Sequence, residues 1–336
     1  MEKIINYYNS NRVSQSCLKD LLIHPMYFNL KHNEGIIKKE KKSFFDLGSL
    51  VDCIVLTSEF FDQTFAIYDE DISPQTKTLA EHIVNKQIDY SSYDIILDEI
   101  RKLEIFNTIK KLDTLKKKLD DEDFENYITF YQNNKGKTII DNKMYYKALD
   151  IANSFLNSEF LKDYFRAREG VEILTALPIY WVYDDIDCKS LLDLVLINHN
   201  NKTISLNDLK TTSDYTKDFK YSIKKYRYDF QAAFYFEAVK WWIKNVRTDL
   251  KKYEILPEFN FIVESTTSTG SPLIYRLSKD TIDKGKNGDM YYDAKGKLQE
   301  ELGFANVFDD LKWHYVSDIW TYTRREYENK GIISCC

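Results

Sequence analysis

Between residues 188 and 210 apolar and polar positions alternate with a period of two. Leu192, Leu194 and Leu196 fall on one parity and Asp193, Val195 and Ile197 on the other, the repeat of a β-strand. A second strand comes next, in which Ile204 and Leu206 share parity with Asp208 and Lys210. Asn200 and Asn201 suit the positive backbone dihedrals of a tight hairpin. With the turn there, the register sets Asp193 directly across from Asp208. Residues 172–182 are also β-rich and Asp184-Asp185 form a turn, so the pattern predicts a three-stranded meander. Two further strands are expected at 259–264 and 273–277.

Elsewhere the period is helical. Residues 14–22 form a short helix capped by Ser14 or Ser16, with Leu18, Leu21 and Leu22 on one face, ending before Pro25. The charged stretch 38–42 is a solvated loop, after which Asp46 caps a helix over 47–56. That helix buries Leu47, Leu50, Val51, Ile54 and Val55, and Gly48 permits close approach of a neighbour. Asp52 is its anomaly, a carboxylate beside an apolar stripe. Residues 72–134 are helical and highly charged, with a lysine run that reads as a solvated face. Further helices are expected at 142–156, 160–165 and 222–242. In the last, Arg227, Gln231 and Tyr235 recur every four residues on one face, while Phe230, Phe234, Val239 and Trp242 supply the packing. From Asp280 to the end the chain returns to helix, with Trp313, Tyr315 and Trp320 as anchors. Together these elements make one α/β domain over 1–336, with a helical elaboration at about 72–165 and a core at about 170–280.

Composition narrows the picture. At 336 residues and 43% hydrophobic the chain can bury a sizeable core. It has no apolar run near the roughly 20 residues that span a bilayer and no signal-peptide pattern at its start, so a soluble, cytoplasmic protein without membrane partners is expected. Five cysteines without a C-x-x-C pair argue against a disulfide framework or a zinc ribbon, and Cys335-Cys336 read as an exposed tail. A net charge of −6 does not suit a general polyanion binder. Any nucleic acid must therefore meet a local basic patch, for which Lys220, Lys224, Lys225 and Arg227 are candidates.

The candidate chemistry sits on the hairpin. Two carboxylates and an ammonium converge on a patch flanked by aliphatic side chains, where a divalent cation would relieve the carboxylate repulsion. An acidic residue two before a lysine recurs at 40–42, 141–143, 187–189, 249–251, 293–295 and 310–312, so the tripeptide alone carries little. Only the copy at 208–210 comes after a strand with an aspartate on the matching face and runs into Thr211-Thr212 and a helix. Asp52 either edges a solvated face or aims at the same pocket. Glu172 either projects into the site or is a strand-edge charge. Gln231, in an apolar segment, needs a partner for its amide.

Taken in order, these segments resemble the PD-(D/E)XK nuclease superfamily, and within it the phage-type exodeoxyribonuclease branch similar to exonuclease VIII and, more distantly, lambda exonuclease. The resemblance is carried by residues 14–19 through Pro25, by 45–52 with Gly48, by Leu191-Leu192-Asp193, by 207–212 as a D-x-K-T-T core, by 226–235 as a Q-x-x-x-Y helix, and by 262–264. It implies a restriction-endonuclease-like core, a mixed central β-sheet flanked by helices with a helical insertion. It further implies Mg²⁺, with Mn²⁺ able to substitute, held by Asp52, Asp193, Asp208 and the carbonyl of Leu209. Lys210 would stabilise charge and orient the attacking water, Gln231 would position water or phosphate, and Tyr235 would hydrogen-bond to or stack on nucleic acid. Glu172 stands where the family's further glutamate is expected, out of clean register, and Asp52 where relatives carry histidine. Thr211, Thr212, Lys224, Lys225 and Arg227 would contact phosphates. The implied activity is resection of linear double-stranded DNA from a free end, with a single-strand annealing protein as partner and a ring-shaped homo-oligomer as the assembly. An endonuclease, a RecB-like accessory nuclease or a catalytically silent DNA-binding protein of the same fold are the alternatives.

Overall fold

A computed structural model of the chain describes residues 2–38, 43–90, 92–109, 111–292 and 295–332. The chain divides into two compact units, one formed by 1–57 with 150–336 and the other by 58–149. The sequence pattern set the helical elaboration at about 72–165. Residues 39–42 of the charged loop and the Cys335-Cys336 tail lie outside the described residues.

In the larger unit a five-stranded mixed sheet is ordered β1 (Val171–Tyr183), β2 (Ile186–Asn198), β3 (Thr203–Thr212), β4 (Glu254–Ser265), β5 (Leu273–Leu277). All neighbours are antiparallel except β3 and β4. Asp184 and Asp185, with φ of 48° and 66°, make the two-residue turn between β1 and β2, both in the left-handed region that such a tight turn demands. The second hairpin keeps the expected register, Leu194 opposite Asn207 and Asn198 opposite Thr203. Its turn differs from expectation. It spans four residues, 199–202, and the left-handed residue is Lys202 at φ 57°. Asn198 Oδ1 closes it by accepting from Asn200 N and Asn201 N at 3.0 and 3.3 Å. Four- and two-residue loops leave the same residue parity across the hairpin, so the pairing is preserved.

The simple alternation along β2 is also interrupted. Leu192 shares its core with Val195 and Ile197, which are of opposite parity, and on β1 Leu177 and Leu174 do the same. The face switches where β1 holds Ala176 at φ 45°, between the pairs Leu177–Leu192 and Thr175–Leu194. A non-glycine residue there is strained, and the kink falls at the level of Asp193.

Ahead of the sheet in the larger unit, the helix α1 (Glu2–Asn9) precedes α2 (Gln15–Ile23), which is capped by Ser14 accepting from Cys17 N. Between them Val13 bonds to β2, donating to Asp187 O at 2.9 Å and accepting from Lys189 N at 2.8 Å. The helix α3 (Ser43–Leu56) begins ahead of the expected start, so Asp46 lies inside it rather than at its cap. Gly48 is the close-approach point anticipated, since a Cβ there would sit 3.4 Å from Thr211 Oγ1 on β3.

The single helix expected at 222–242 is two. A short one, Phe219–Lys225, ends, and α4 (Tyr228–Asn245) starts after Arg227, whose φ of 53° breaks the helical path. Phe230, Phe234 and Val239 are fully buried on α4, and Phe234 meets Trp181 of β1 edge-on at 4.8 Å. After β5 the chain is not all helix. The helix α5 (Lys279–Asn287) leads to a small hairpin, Asp289–Tyr292 with Leu298–Glu301, then to α6 (Phe304–Ser317). Asn287-Gly288-Asp289 is a turn signal that the helical reading passed over. Of the proposed aromatic anchors, Trp320 is buried and stacks on Phe28 at 5.7 Å, whereas Tyr315 is exposed.

The smaller unit packs the helices Pro74–Lys86, Tyr93–Leu103, Leu112–Asp121 and Phe124–Asn133 around Leu79, Ile83, Leu115, Leu119 and Tyr127. A short parallel pair, Phe65–Ile67 with Thr138–Ile140, belongs to the same unit. Among the described residues no helix is long and apolar enough to cross a membrane.

Candidate active site

Beyond Leu194 and Asn207 the β2–β3 ladder stops, and β2 bonds instead to Val13. Asp193 stands where the two strands part. Its Oδ2 accepts from Leu209 N at 3.0 Å, continuing in side-chain form the ladder that has just ended. Asp208, on the next position of β3, is 2% exposed. Its Oδ1 accepts from Gln231 Nε2 at 2.6 Å, so the buried amide of α4 finds its partner here. Asp208 Oδ2 forms an ion pair with Lys210 Nζ. Lys210 Nζ also donates to the carbonyl of Leu209 at 3.3 Å.

The electrostatics arise from burying three acids near one cation. Burial, then Asp208 and then Asp52, push the Asp193 carboxyl well above the usual range. Burial raises Asp52 to about 7 against the opposing pull of Lys210, with Asp208 adding to the rise. Asp52 is half-buried on α3, within electrostatic reach of Lys210 and Asp208. Burial works against the Lys210 charge, but Asp208 and Asp193 outweigh it and hold the ammonium protonated.

Two contributors were not assigned roles from the sequence. Lys19 of α2 donates to Tyr226 O at 2.7 Å. Its Nζ lies 5.7 Å from the Tyr228 ring centroid, and Lys210 Nζ lies 5.5 Å from the same ring. Burial and the neighbouring Lys210 charge bring Lys19 down to about 7. From α1, Tyr8 is exposed yet within electrostatic reach of Asp193 and Asp52. Neither carries a local signal. The contact of Lys19 with Tyr226 spans 207 residues.

Several expected site residues lie elsewhere or act differently. Glu172 pairs across the sheet with Ile197 and is clamped by Arg247 at 2.9 and 3.0 Å, with His199 at 3.4 Å. It is thus an ion-pair residue toward the turn end of the sheet, outside the aspartate cluster. Arg227 is spent internally, on Asp229 at 3.1 Å, Leu302 O at 3.0 Å and Glu301 at 3.3 Å, so it is not free for phosphate. Tyr235 is 7% exposed and lies near Tyr7, Asp208 and Asp193. Thr212 is buried and accepts from Asp214 N at 3.2 Å, which builds the turn after β3. Thr211 is half-buried, and Lys224 and Lys225 are exposed on the short helix before α4.

Among the described residues no three His, Cys, Asp or Glu side chains are gathered as a metal cluster. Lys210 occupies one oxygen of Asp208 and the Leu209 amide one oxygen of Asp193. The donor set is nonetheless that of a hard cation, all oxygen, with the buried Asp208 oxygen held by the ion-paired Lys210.

A crystal structure described as a "putative exonuclease" from Eubacterium rectale is similar over 84% of this chain and 77% of that one, at 15% identity and a TM-score of 0.42. No curated protein matches the chain. The family profile of a PDDEXK-like domain of unknown function (DUF3799) matches residues 14–286. That span holds α2, α3, the whole sheet and α4 with Asp52, Asp193, Asp208 and Lys210, and on it the chain belongs to this family and to the PD-(D/E)XK nuclease superfamily.

Proposed function

We propose that the protein is a metal-dependent deoxyribonuclease that hydrolyses DNA phosphodiester bonds, acting from the ends of linear duplexes as a phage-type recombination exonuclease. The observation that carries this reading is the arrangement around Asp208, a buried carboxylate fixed by Gln231 on one oxygen and paired to Lys210 on the other. Asp208, Asp193, Asp52 and the Leu209 carbonyl are the groups that would hold a divalent cation such as Mg²⁺. When bound, the cation would supply Lewis-acid stabilisation of the phosphate and a more acidic water.

The chain's own residues account for the rest. Gln231 locks the orientation of Asp208, so the carboxylate is presented without reorganisation. Lys210 stays charged and stands beside Asp208, placed to stabilise negative charge building on phosphate oxygens. Lys19, held at about 7, is a group able to give or take a proton at neutral pH, within reach of the same ring that Lys210 faces. Exposed Lys220, Lys224 and Lys225 supply the local basic surface that an acidic protein needs for a polyanion.

The test is digestion of end-labelled linear duplex and of covalently closed circles, with Mg²⁺ or EDTA, by the wild type and by Asp208→Ala. Loss of label from linear DNA only, dependent on Mg²⁺ and on Asp208, is expected. Cleavage of closed circles would turn the reading to an endonuclease, and wild-type rates in Asp208→Ala would overturn the site.

A further inference from the structure

Away from the aspartate cluster, α2 carries a second group of reactive side chains. Cys17 is the third residue of that helix, in its first turn, where the helix dipole favours negative charge. Its Sγ lies 3.5 Å from His32 Nδ1 and 3.2 Å from Ser14 Oγ. The opposite ring nitrogen, His32 Nε2, lies 2.7 Å from Asp20 Oδ2, which Lys31 Nζ also meets at 2.8 Å. The result is a relay of thiol, imidazole and carboxylate, in which each group orients the next. The thiol is partly exposed, and His32 and Asp20 retain 19% and 15% of their side-chain surface.

We propose that Cys17 is a reactive thiolate and a site of oxidation by hydroperoxides, with His32 as its proton donor. A hydroperoxide is small enough to reach a half-buried sulfur, and its reduction needs what His32 provides. The sulfur attacks one peroxide oxygen, so that an S–O bond forms as the O–O bond breaks. Two electrons pass from sulfur to the peroxide. The departing hydroxide takes the proton held at His32 and leaves as water, and Cys17 becomes a sulfenic acid. Cys188 of β2 does not resolve it, since burial holds that thiol at about 12 and no thiolate is present at neutral pH.

The electrostatics agree with the geometry. Burial pushes the Cys17 thiol up, but the hydrogen bonds from His32 and Ser14 and the imidazolium charge bring it down to about 7. Burial likewise opposes the His32 charge, and Asp20 and Cys17 raise it to about 9. The other titratable groups that sense Cys17 are Tyr7 of α1, Cys188 of β2 and Tyr315 of α6. All three are held neutral at pH 7, so the thiolate–imidazolium pair prevails between pH 7 and 9.

At pH 7 a thiol held at about 7 is half ionised, against roughly 3% for an ordinary one at about 8.5. The lower basicity of the sulfur returns a factor of about five, leaving roughly threefold in rate before proton delivery is counted. The experiment treats the full chain with hydrogen peroxide from pH 5.5 to 10, traps sulfenic acid with dimedone and locates it by peptide mass spectrometry. A bell-shaped rate at Cys17, rising near 7 and falling near 9, is expected. His32→Gln should shift the rise upward by more than one pH unit and abolish the fall, with at least a threefold lower rate at pH 7. A single rise centred above pH 8 in the wild type, or no label at Cys17 in protein whose circular dichroism is native, would overturn the proposal without recourse to any variant.

Discussion

Gly285 offers a sharp test of how the helix that presents Gln231 is held. It lies on α5 against the first turn of α4, and a Cβ at this position would sit 2.2 Å from Asp229 O, 2.4 Å from Asp229 C and 2.9 Å from Phe230 N. Carbon contacts settle near 3.5–4.0 Å, so Gly285→Ala forces the helices apart by about 1 Å. The opposing atoms are main chain and cannot rotate away. Arg227 braces them further, gripping Asp229 at 3.1 Å and Leu302 O at 3.0 Å. Alanine favours a helix interior over glycine by about 1 kcal/mol, while overpacking of a tight contact costs about 1–3 kcal/mol. The clash outweighs the gain over most of that range, and a net loss of up to about 2 kcal/mol is expected from urea unfolding. Gln231 is two residues beyond Asp229, and its bond to Asp208 is 2.6 Å. A 1 Å displacement of the first turn stretches that bond past hydrogen-bonding range, and misplacement on this scale costs up to about 100-fold in rate. Cleavage of linear DNA by the purified variant, read beside its urea midpoint, checks both. A variant as stable and as active as the wild type would refute the claim that this contact sets the position of Gln231.

Asp52→Asn bears on the raised acid. Because the folded protein holds Asp52 at about 7 and the unfolded chain near 4, folding retains a proton in between, and stability falls as pH rises through that window. Urea unfolding in EDTA should show the variant gaining about 2–3 kcal/mol on the wild type between pH 5 and 8; a difference that does not change with pH counts against it. Gln231→Leu leaves one oxygen of buried Asp208 without its donor and should cost about 1–3 kcal/mol together with most of the cleavage rate. Glu172→Gln loosens a partly exposed pair with Arg247 and should lower stability by less than about 1 kcal/mol while leaving cleavage intact. A steep fall in its activity at unchanged stability would return Glu172 to the site.

The sequence by itself determined what repeats locally. Strand alternation found β2 and β3 and the even loop parity fixed their register, but the ladder ends at Leu194 and Asn207, one pair short of the expected Asp193 opposite Asp208. On α3 the small residue facing β3 and the burial of Leu50 and Val51 were legible for the same reason, whereas Leu47, Ile54 and Val55 are half-buried and Cys53 and Leu56 are buried in their place. Tertiary structure decided whatever depends on partners far along the chain. Arg247 takes Glu172 out of contention across 75 residues, and Arg227 breaks a helix that its neighbours' periodicity would have continued because Asp229, Glu301 and Leu302 O hold it aside. Lys19 reaches the rim of Tyr228, and Cys17 meets His32, through packing that no period encodes. A periodic pattern records which side of an element is buried. It does not record which charged groups the packing of those buried sides brings together, and at this site that selection separates the ligand candidates from the ion pairs.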